Sequence, residues 1–81
     1  MPTAFREGPY RFYFYSHDIA EPPHIHIDRE DSSAKFWLSP VVLASNIGFS
    51  PRELRTIERL VVQNREKLIE AWNAFFGTQS R

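Results

Sequence analysis

Three stretches of alternating apolar and polar residues occupy the first half of the chain. In residues 10–16, His24–Arg29 and 34–39, every second residue is apolar and these side chains share one face, as in half-buried strands. Residues 41–45 form a short apolar run that fits either a fourth strand or a helical turn. Because the connections are short and polar, the pattern predicts a three- or four-stranded antiparallel meander over residues 10–45.

The second half of the chain changes to a helical period. Ser50 precedes Pro51, and Glu53 stands three positions after Ser50, which is the sequence of a capping box with proline at the first helical position. Apolar residues then recur at steps of three and four until Gly77, a natural helix stop. The pattern predicts a C-terminal helix over residues 50–76.

The predicted helix is long for the rest of the chain. As one rod it would span about 39 Å at 1.5 Å per residue, whereas a domain of 81 residues is roughly 30 Å across. The helix therefore either overshoots the domain or breaks at Gln63-Asn64-Arg65.

Strands followed by a helix in a chain of this length predict a single α+β domain, residues 1–81, with an N-terminal arm over residues 1–9.

The apolar surface of this helix is wider than a small sheet requires, so part of it is predicted to bind a partner chain or a second copy. The residues assigned to this partner-binding surface are Val62, Ile69, Trp72, Phe75 and Phe76.

Composition narrows the class of protein. Ten basic and ten acidic residues balance, so no overall field attracts nucleic acid, and RNA binding would need a local patch. Cysteine is absent, which excludes disulfides and thiolate metal sites such as zinc fingers. No apolar run approaches the roughly 18 residues of a membrane span, and the start lacks the apolar segment of a signal peptide. We therefore expect a cytoplasmic protein without membrane contact.

Strand alternation gathers a second set of side chains on the face opposite the core. They are Arg11, Tyr13, Tyr15, His24, His26, Asp28, Lys35 and Trp37. Aromatic rings among basic residues suit the stacking of unpaired RNA bases, which makes RNA a candidate partner. The alternative is that a second element covers this face, in which case the aromatic residues belong to the core.

Two histidines one residue apart carry the most specific chemistry of the chain. In a strand, His24 and His26 project to the same side about 6–7 Å apart, which suits chelation of zinc, nickel or iron once a third ligand is added. We predict Asp28 as that ligand, with Glu21 and His17 as further candidates. No cofactor other than this alternative divalent metal is predicted. Solvent-facing or hydrogen-bonded histidines without a metal are the structural alternative.

A metal-free enzyme is the other chemical alternative. A small ribonuclease or phosphotransfer enzyme needs little more than a histidine that exchanges protons near neutral pH and a cation beside the phosphate. The residues assigned to this catalysis are His24, His26, Tyr13, Lys35 and Arg11.

Two segments of the chain are similar to a known family. The runs Glu21-Pro22-Pro23-His24-Ile25-His26 and Ala34-Lys35-Phe36-Trp37 resemble those of small bacterial proteins catalogued as a domain of unknown function, and the similarity extends from Met1 to about Phe76. Genes of that family often lie beside a gene for another small protein, which implies a toxin–antitoxin-like pair. The leading prediction is therefore a binding component that acts through a partner encoded nearby or as a homodimer.

Overall fold

Five strands form one antiparallel sheet in the described part of the chain. A computed structural model describes the backbone of residues 3–77, and the side chains of that range except those of residues 3–5, 16 and 17. The elements are β1 (Thr3–Glu7), β2 (Tyr10–Tyr13), a 3₁₀ helix (Ser16–Ala20), β3 (His24–Arg29), β4 (Ser32–Leu38), β5 (Val41–Ile47), α1 (Pro51–Gln63) and α2 (Arg65–Phe76). The strands lie in the sheet in chain order. Neither helix is long and apolar enough to cross a membrane.

The α+β class is confirmed, whereas the predicted strand count of three or four is too low. Strand β1 lies within the residues predicted as an arm. It reads Thr-Ala-Phe-Arg-Glu, with one large apolar side chain, so no alternation marks it as a strand. These residues form a strand because they pair antiparallel with β2, which extends the sheet. Residues 41–45, whose structure the pattern left open, belong to strand β5.

The apolar face of the sheet packs against both helices. The buried core contains Tyr10, Phe12, Phe14, Ile25, Ile27, Ala34, Phe36 and Leu38 from the sheet half, and Phe49, Ile57, Val61, Leu68 and Trp72 from the remainder. Full burial of one large apolar side chain contributes about 1.5–3 kcal/mol. The sheet and the helices therefore depend on each other for stability.

The C-terminal helix is broken, at the place where a break was predicted. Helix α1 ends at Gln63 and α2 begins at Arg65. Asn64 leaves helical geometry, with φ −108° and ψ 14°, and its side-chain amide donates to the Leu60 carbonyl at 2.8 Å. The Arg65 guanidinium donates to the Leu38 carbonyl at 2.7 Å, which ties the start of α2 to the end of β4. The break lets both helices pack on one small sheet.

Three of the five helix residues that were predicted to bind a partner pack against the core instead. Trp72 is buried in the core, and Ile69 and Phe76 are partly buried against it. Phe75 and Val62 remain exposed. The exposed apolar surface of the helices is therefore smaller than predicted, because Trp72, Ile69 and Phe76 pack against the core.

Glu53 is diverted from the predicted capping box. The Ser50 hydroxyl accepts the Glu53 N–H at 3.1 Å, as predicted, but the carboxylate accepts from the Arg29 guanidinium at 2.9 Å and from the Tyr10 hydroxyl at 2.8 Å. These two hydrogen bonds, that of Arg29 first, lower the pKa of Glu53 below its usual range. The network joins β2, β3 and α1.

We expect Glu53→Gln to make the fold less sensitive to acid. A carboxylate whose pKa is lowered on folding stabilises the fold above its unfolded-state pKa, and that contribution is lost as the pH falls through the folded-state pKa. Urea unfolding midpoints at pH 7 and at about pH 3 should therefore differ less in the variant than in the wild type. Glu58→Gln, an exposed position on the same helix, should keep the wild-type difference. Equal acid sensitivity of Glu53→Gln and wild type would contradict this role.

Candidate functional site

The register brings the predicted outer-face side chains together as cross-strand pairs. His24 lies opposite Trp37, and His26 lies opposite Tyr13 on one side and Lys35 on the other. Because cross-strand partners share a face of the sheet, these residues form one surface. That surface is not open to water at its centre, since the exposed fraction is 0% for His24 and 3% for Tyr13. The solvent-facing interpretation of His24 is therefore wrong.

The connection between β2 and β3 covers this face. It runs through the 3₁₀ helix, whose Asp18 is itself buried. The Asp18 N–H donates to the Tyr15 carbonyl at 3.0 Å, and the Tyr15 N–H donates back to the Asp18 carboxylate at 2.8 Å. On another side of the site, the rings of Trp72 and His24 lie with centroids 5.2 Å apart. Local hydrogen bonds thus fix Asp18, and helix α2 helps to enclose His24.

Asp18, His24 and His26 meet at one point. Oδ2 of Asp18 lies 3.0 Å from Nε2 of His26 and 3.2 Å from Nε2 of His24. The ligand atoms of the three residues all lie within 4.8 Å of one another. Carboxylate and imidazole are ligands that zinc and related ions take in proteins. Among the described residues, these three are therefore the ones placed to hold a metal ion.

His24 directs an unpaired nitrogen into this cluster. Its Nδ1 lies 2.8 Å from the Pro22 carbonyl, which can only accept, so Nδ1 donates this hydrogen bond and Nε2 is the nitrogen directed at Asp18. That Nε2 has no hydrogen-bond partner within the described range, because it is not aligned for one with the Asp18 oxygen 3.2 Å away. Leaving a buried polar atom unpaired costs about 1–3 kcal/mol. Local hydrogen bonds alone do not account for this arrangement.

The surroundings favour an ionised Asp18 and a neutral His26 at pH 7. Burial raises the pKa of Asp18, but the Tyr15 N–H and the two neighbouring imidazoles outweigh it and hold the pKa below its usual value. Burial lowers the pKa of His26 by more than the Asp18 carboxylate raises it. The rings of Tyr13 and Tyr15 pack on His26 with centroids 5.2 and 4.9 Å away. Both groups are therefore in the protonation state in which they bind metals.

The other residues assigned to catalysis are engaged by carboxylates. Lys35 Nζ donates to Glu21 at 2.6 Å, and the Tyr13 hydroxyl donates to Asp28 at 3.0 Å. The Arg11 guanidinium lies 4.0 Å from the second Asp28 oxygen. Burial, above all, raises the pKa of the Tyr13 phenol, so this group stays protonated. The charge of each basic group is thus already balanced on the protein itself.

The structure places Asp28 and Glu21, two of the three predicted third ligands, away from the point where the Nε2 atoms of the two histidines meet. Asp28 is held by the Tyr13 hydroxyl on the neighbouring strand. Glu21 approaches His24 from its Nδ1 side, at 3.8 Å, where the Pro22 carbonyl already accepts the proton. The side chain of His17 lies outside the described residues. Neither Asp28 nor Glu21 is placed to bind a metal ion together with the Nε2 atoms of both histidines.

Sequence reasoning missed Asp18, the carboxylate that does meet the pair. Alternation assigns faces only within strands, and Asp18 lies in the connection between two of them. The available signal was its spacing from Tyr15. An aspartate a few residues after a strand end commonly hydrogen-bonds a nearby backbone N–H, which fixes the direction of its carboxylate.

Comparisons with known proteins identify a family and no activity. No curated protein and no solved structure matches the chain. A family described as "Domain of unknown function (DUF4160)" matches residues 10–73. The matched range contains Asp18, both histidines, strands β2 to β5 and all of α1. Because the match covers most of the chain, the protein belongs to the DUF4160 family.

Proposed function

We propose that the protein is a binding component of a toxin–antitoxin-like pair, and that it pairs with a second protein chain along strand β5. The observation that carries this proposal is the outer edge of β5. In the sheet order β1-β2-β3-β4-β5, this strand has β4 as its one neighbour. Its other edge therefore presents backbone N–H and C=O groups that can pair with another strand.

The composition of β5 suits such pairing. Val41–Ile47 contains no charged residue and no proline, which are the residues that commonly keep edge strands apart. Its side chains at Val42 and Ile47 are 48% and 69% exposed. The opposite edge strand, β1, ends with the exposed charges of Arg6 and Glu7. Of the two edges, β5 is the one suited to docking.

A local irregularity limits where the second chain can pair. Ser45 lies opposite Lys35 and Leu43 opposite Phe36, so Ala44 is an extra residue that bends the strand. The bulge divides the outer edge into two regular segments, residues 41–43 and residues 45–47, and we place the pairing on the first. A strand edge can pair antiparallel with the same edge of a second copy, and β5 has no charged side chains that would repel each other there, so the occupant we propose is a second copy related by a twofold axis. The two sheets would then join into one.

Val42→Lys should raise the dissociation constant of this dimer by about tenfold or more, because the twofold axis brings the two added charges close together. Val62→Lys is the matched control, since it is the same substitution at a similarly exposed site on α1. Light scattering on a sizing column, over a range of protein concentrations, measures both. We expect Val62→Lys to dimerise like the wild type.

Two results would contradict the proposal. One is a wild-type monomer at the highest attainable concentration, together with no binding to the product of the neighbouring gene. The other is dissociation by Val62→Lys in place of Val42→Lys, which would assign the interface to the helix face.

The ribonuclease or phosphotransfer alternative has narrower support. Its proton-transfer group would be His26, whose side chain is 15% exposed and bonds to Asp18 at 3.0 Å. Its phosphate-binding cation would be Lys35, which must first leave Glu21. Alanine at both His24 and His26 tests it. A wild-type RNA cleavage activity that disappears while the far-ultraviolet circular dichroism stays unchanged would favour the enzyme.

A further inference from the structure

The geometry points to a metal site in which Asp18, His24 and His26 bind one divalent transition-metal ion of the zinc type. This site goes beyond the proposed pairing along β5 and does not depend on it. It rests on the spacing of three ligand atoms, on the unpaired nitrogen of His24, and on the chemistry of the ligand set.

The distances between the ligand atoms suit a tetrahedral ion. Metal–ligand bonds of about 2.0–2.2 Å at tetrahedral angles place neighbouring ligand atoms roughly 3.3–3.6 Å apart. Oδ2 of Asp18 lies 3.0 Å from Nε2 of His26 and 3.2 Å from Nε2 of His24, and the three atoms lie within 4.8 Å of one another. An ion among them therefore requires side-chain adjustments of about 1 Å.

The unpaired nitrogen is an independent sign of a ligand. Nε2 of His24 is fully buried and faces the Asp18 carboxylate without a hydrogen bond. Because Nδ1 is bonded to the Pro22 carbonyl, Nε2 is the nitrogen that faces the Asp18 oxygen, 3.2 Å away. A cation bound to both atoms would give this buried nitrogen the partner that it lacks. Metal-binding histidines usually donate their other N–H to a carboxylate, water or backbone carbonyl, as His24 does here.

Two imidazoles and one carboxylate indicate the class of ion. Calcium and magnesium take oxygen ligands, and copper(I) takes thiolates or thioethers, which this cysteine-free chain does not offer in the cluster. Zinc accepts two histidines with a carboxylate. Zn²⁺ is therefore the probe, as the redox-inert member of the class that includes iron(II), cobalt(II) and nickel(II).

The position of the site indicates what the ion would do. Asp18 belongs to the 3₁₀ helix, whereas both histidines belong to β3. An ion shared by these residues fastens the β2–β3 connection onto the strand that it covers. Asp18 and His24 are buried, so the ion would lie beneath this connection, and with three protein ligands its fourth coordination position would be left for water.

Calorimetric titration with Zn²⁺ tests the site, using chelator-treated protein that carries no polyhistidine tag. We expect the wild type to bind one Zn²⁺ per chain and to show a Zn²⁺-dependent rise in Tm. Asp18→Asn and His26→Gln should each weaken binding by at least about 100-fold and abolish the rise in Tm. Asp28→Asn is the matched control, because it makes the same change on the same strand as the histidines. It should bind Zn²⁺ like the wild type.

Cobalt(II) supplies a second readout. The wild type and Asp28→Asn should develop the visible absorption of a tetrahedral cobalt(II) site, and Asp18→Asn and His26→Gln should not. If metal-free Asp18→Asn does not fold, the comparison of His26→Gln with Asp28→Asn decides, since His26 is the least buried of the three ligands. A wild type without Zn²⁺ binding, equal binding by the ligand variants, or loss of binding in Asp28→Asn alone would overturn the proposal.

Discussion

Trp72→Ala should lower the free energy of unfolding by about 3–5 kcal/mol. Trp72 is 5% exposed, and its ring packs against Phe76, His24 and Phe14 with centroids 4.3, 5.2 and 5.4 Å away. Truncation leaves a cavity where α2 meets the sheet. A protein of this length has about 4–12 kcal/mol of stability in total, so the variant approaches unfolding. Urea titration followed by far-ultraviolet circular dichroism measures the difference.

Phe75→Ala is the control for that measurement. Phe75 is a large aromatic residue on the same helix, but it is 44% exposed, and its removal should change stability by about 1 kcal/mol or less. If Trp72→Ala kept wild-type stability and lost only the binding of another chain, Trp72 would belong to the partner surface that the helical pattern predicted. The packing of α2 described above would then be wrong.

Gly48→Ala should be the second most damaging substitution, at about 2–4 kcal/mol. Gly48 has φ +95°, a conformation that side chains rarely adopt, and it lies between β5 and α1. A Cβ at this position would lie 2.7 Å from Oγ and 3.3 Å from Cα of Ser32. The backbone of β4 would have to move, because removing the hydroxyl relieves only part of the clash. Thermal and urea unfolding give the loss of stability.

Gly8→Ala separates the two contributions. Gly8 also has a positive φ, +58°, but a Cβ there would meet nothing within 4 Å. Only the backbone conformation opposes alanine, at about 1–2 kcal/mol. Ser32→Ala combined with Gly48→Ala should recover part of the loss. Equal losses from Gly8→Ala and Gly48→Ala would show that the contact with Ser32 does not limit this position.

Features with local signals were predicted well from the sequence. Strand β3 occupies the predicted residues, and α1 begins at Pro51 behind a Ser50 cap, because alternation and capping are set by neighbours in the chain. The break after Gln63 followed from a length argument alone. Strand β1 carries no such signal, since a partner strand rather than its own pattern orders it.

Of the three residues in the candidate site, the sequence predicted the two histidines and missed the carboxylate. Alternation placed His24 and His26 on one face, and the cross-strand register agrees. The carboxylate could not be chosen in the same way, because the direction of Asp18 depends on how the β2–β3 connection folds back over the sheet. Burial of Trp72 is likewise a tertiary outcome, since it requires the break that turns α2 onto the sheet. Contacts between different elements leave no periodic pattern of apolar residues in the sequence, so the sequence alone does not predict them.

The order of the strands also has a consequence for synthesis on the ribosome. Because the sheet follows the chain from β1 to β5, each pairing closes a short loop and can form as soon as the next strand emerges. The two helices that cover its apolar face are translated last. A nascent chain that has emerged as far as Ile47 can therefore form a complete sheet whose apolar face is still exposed to water. The interval between completion of β5 and completion of α2 is the stage at which this protein is most prone to aggregate.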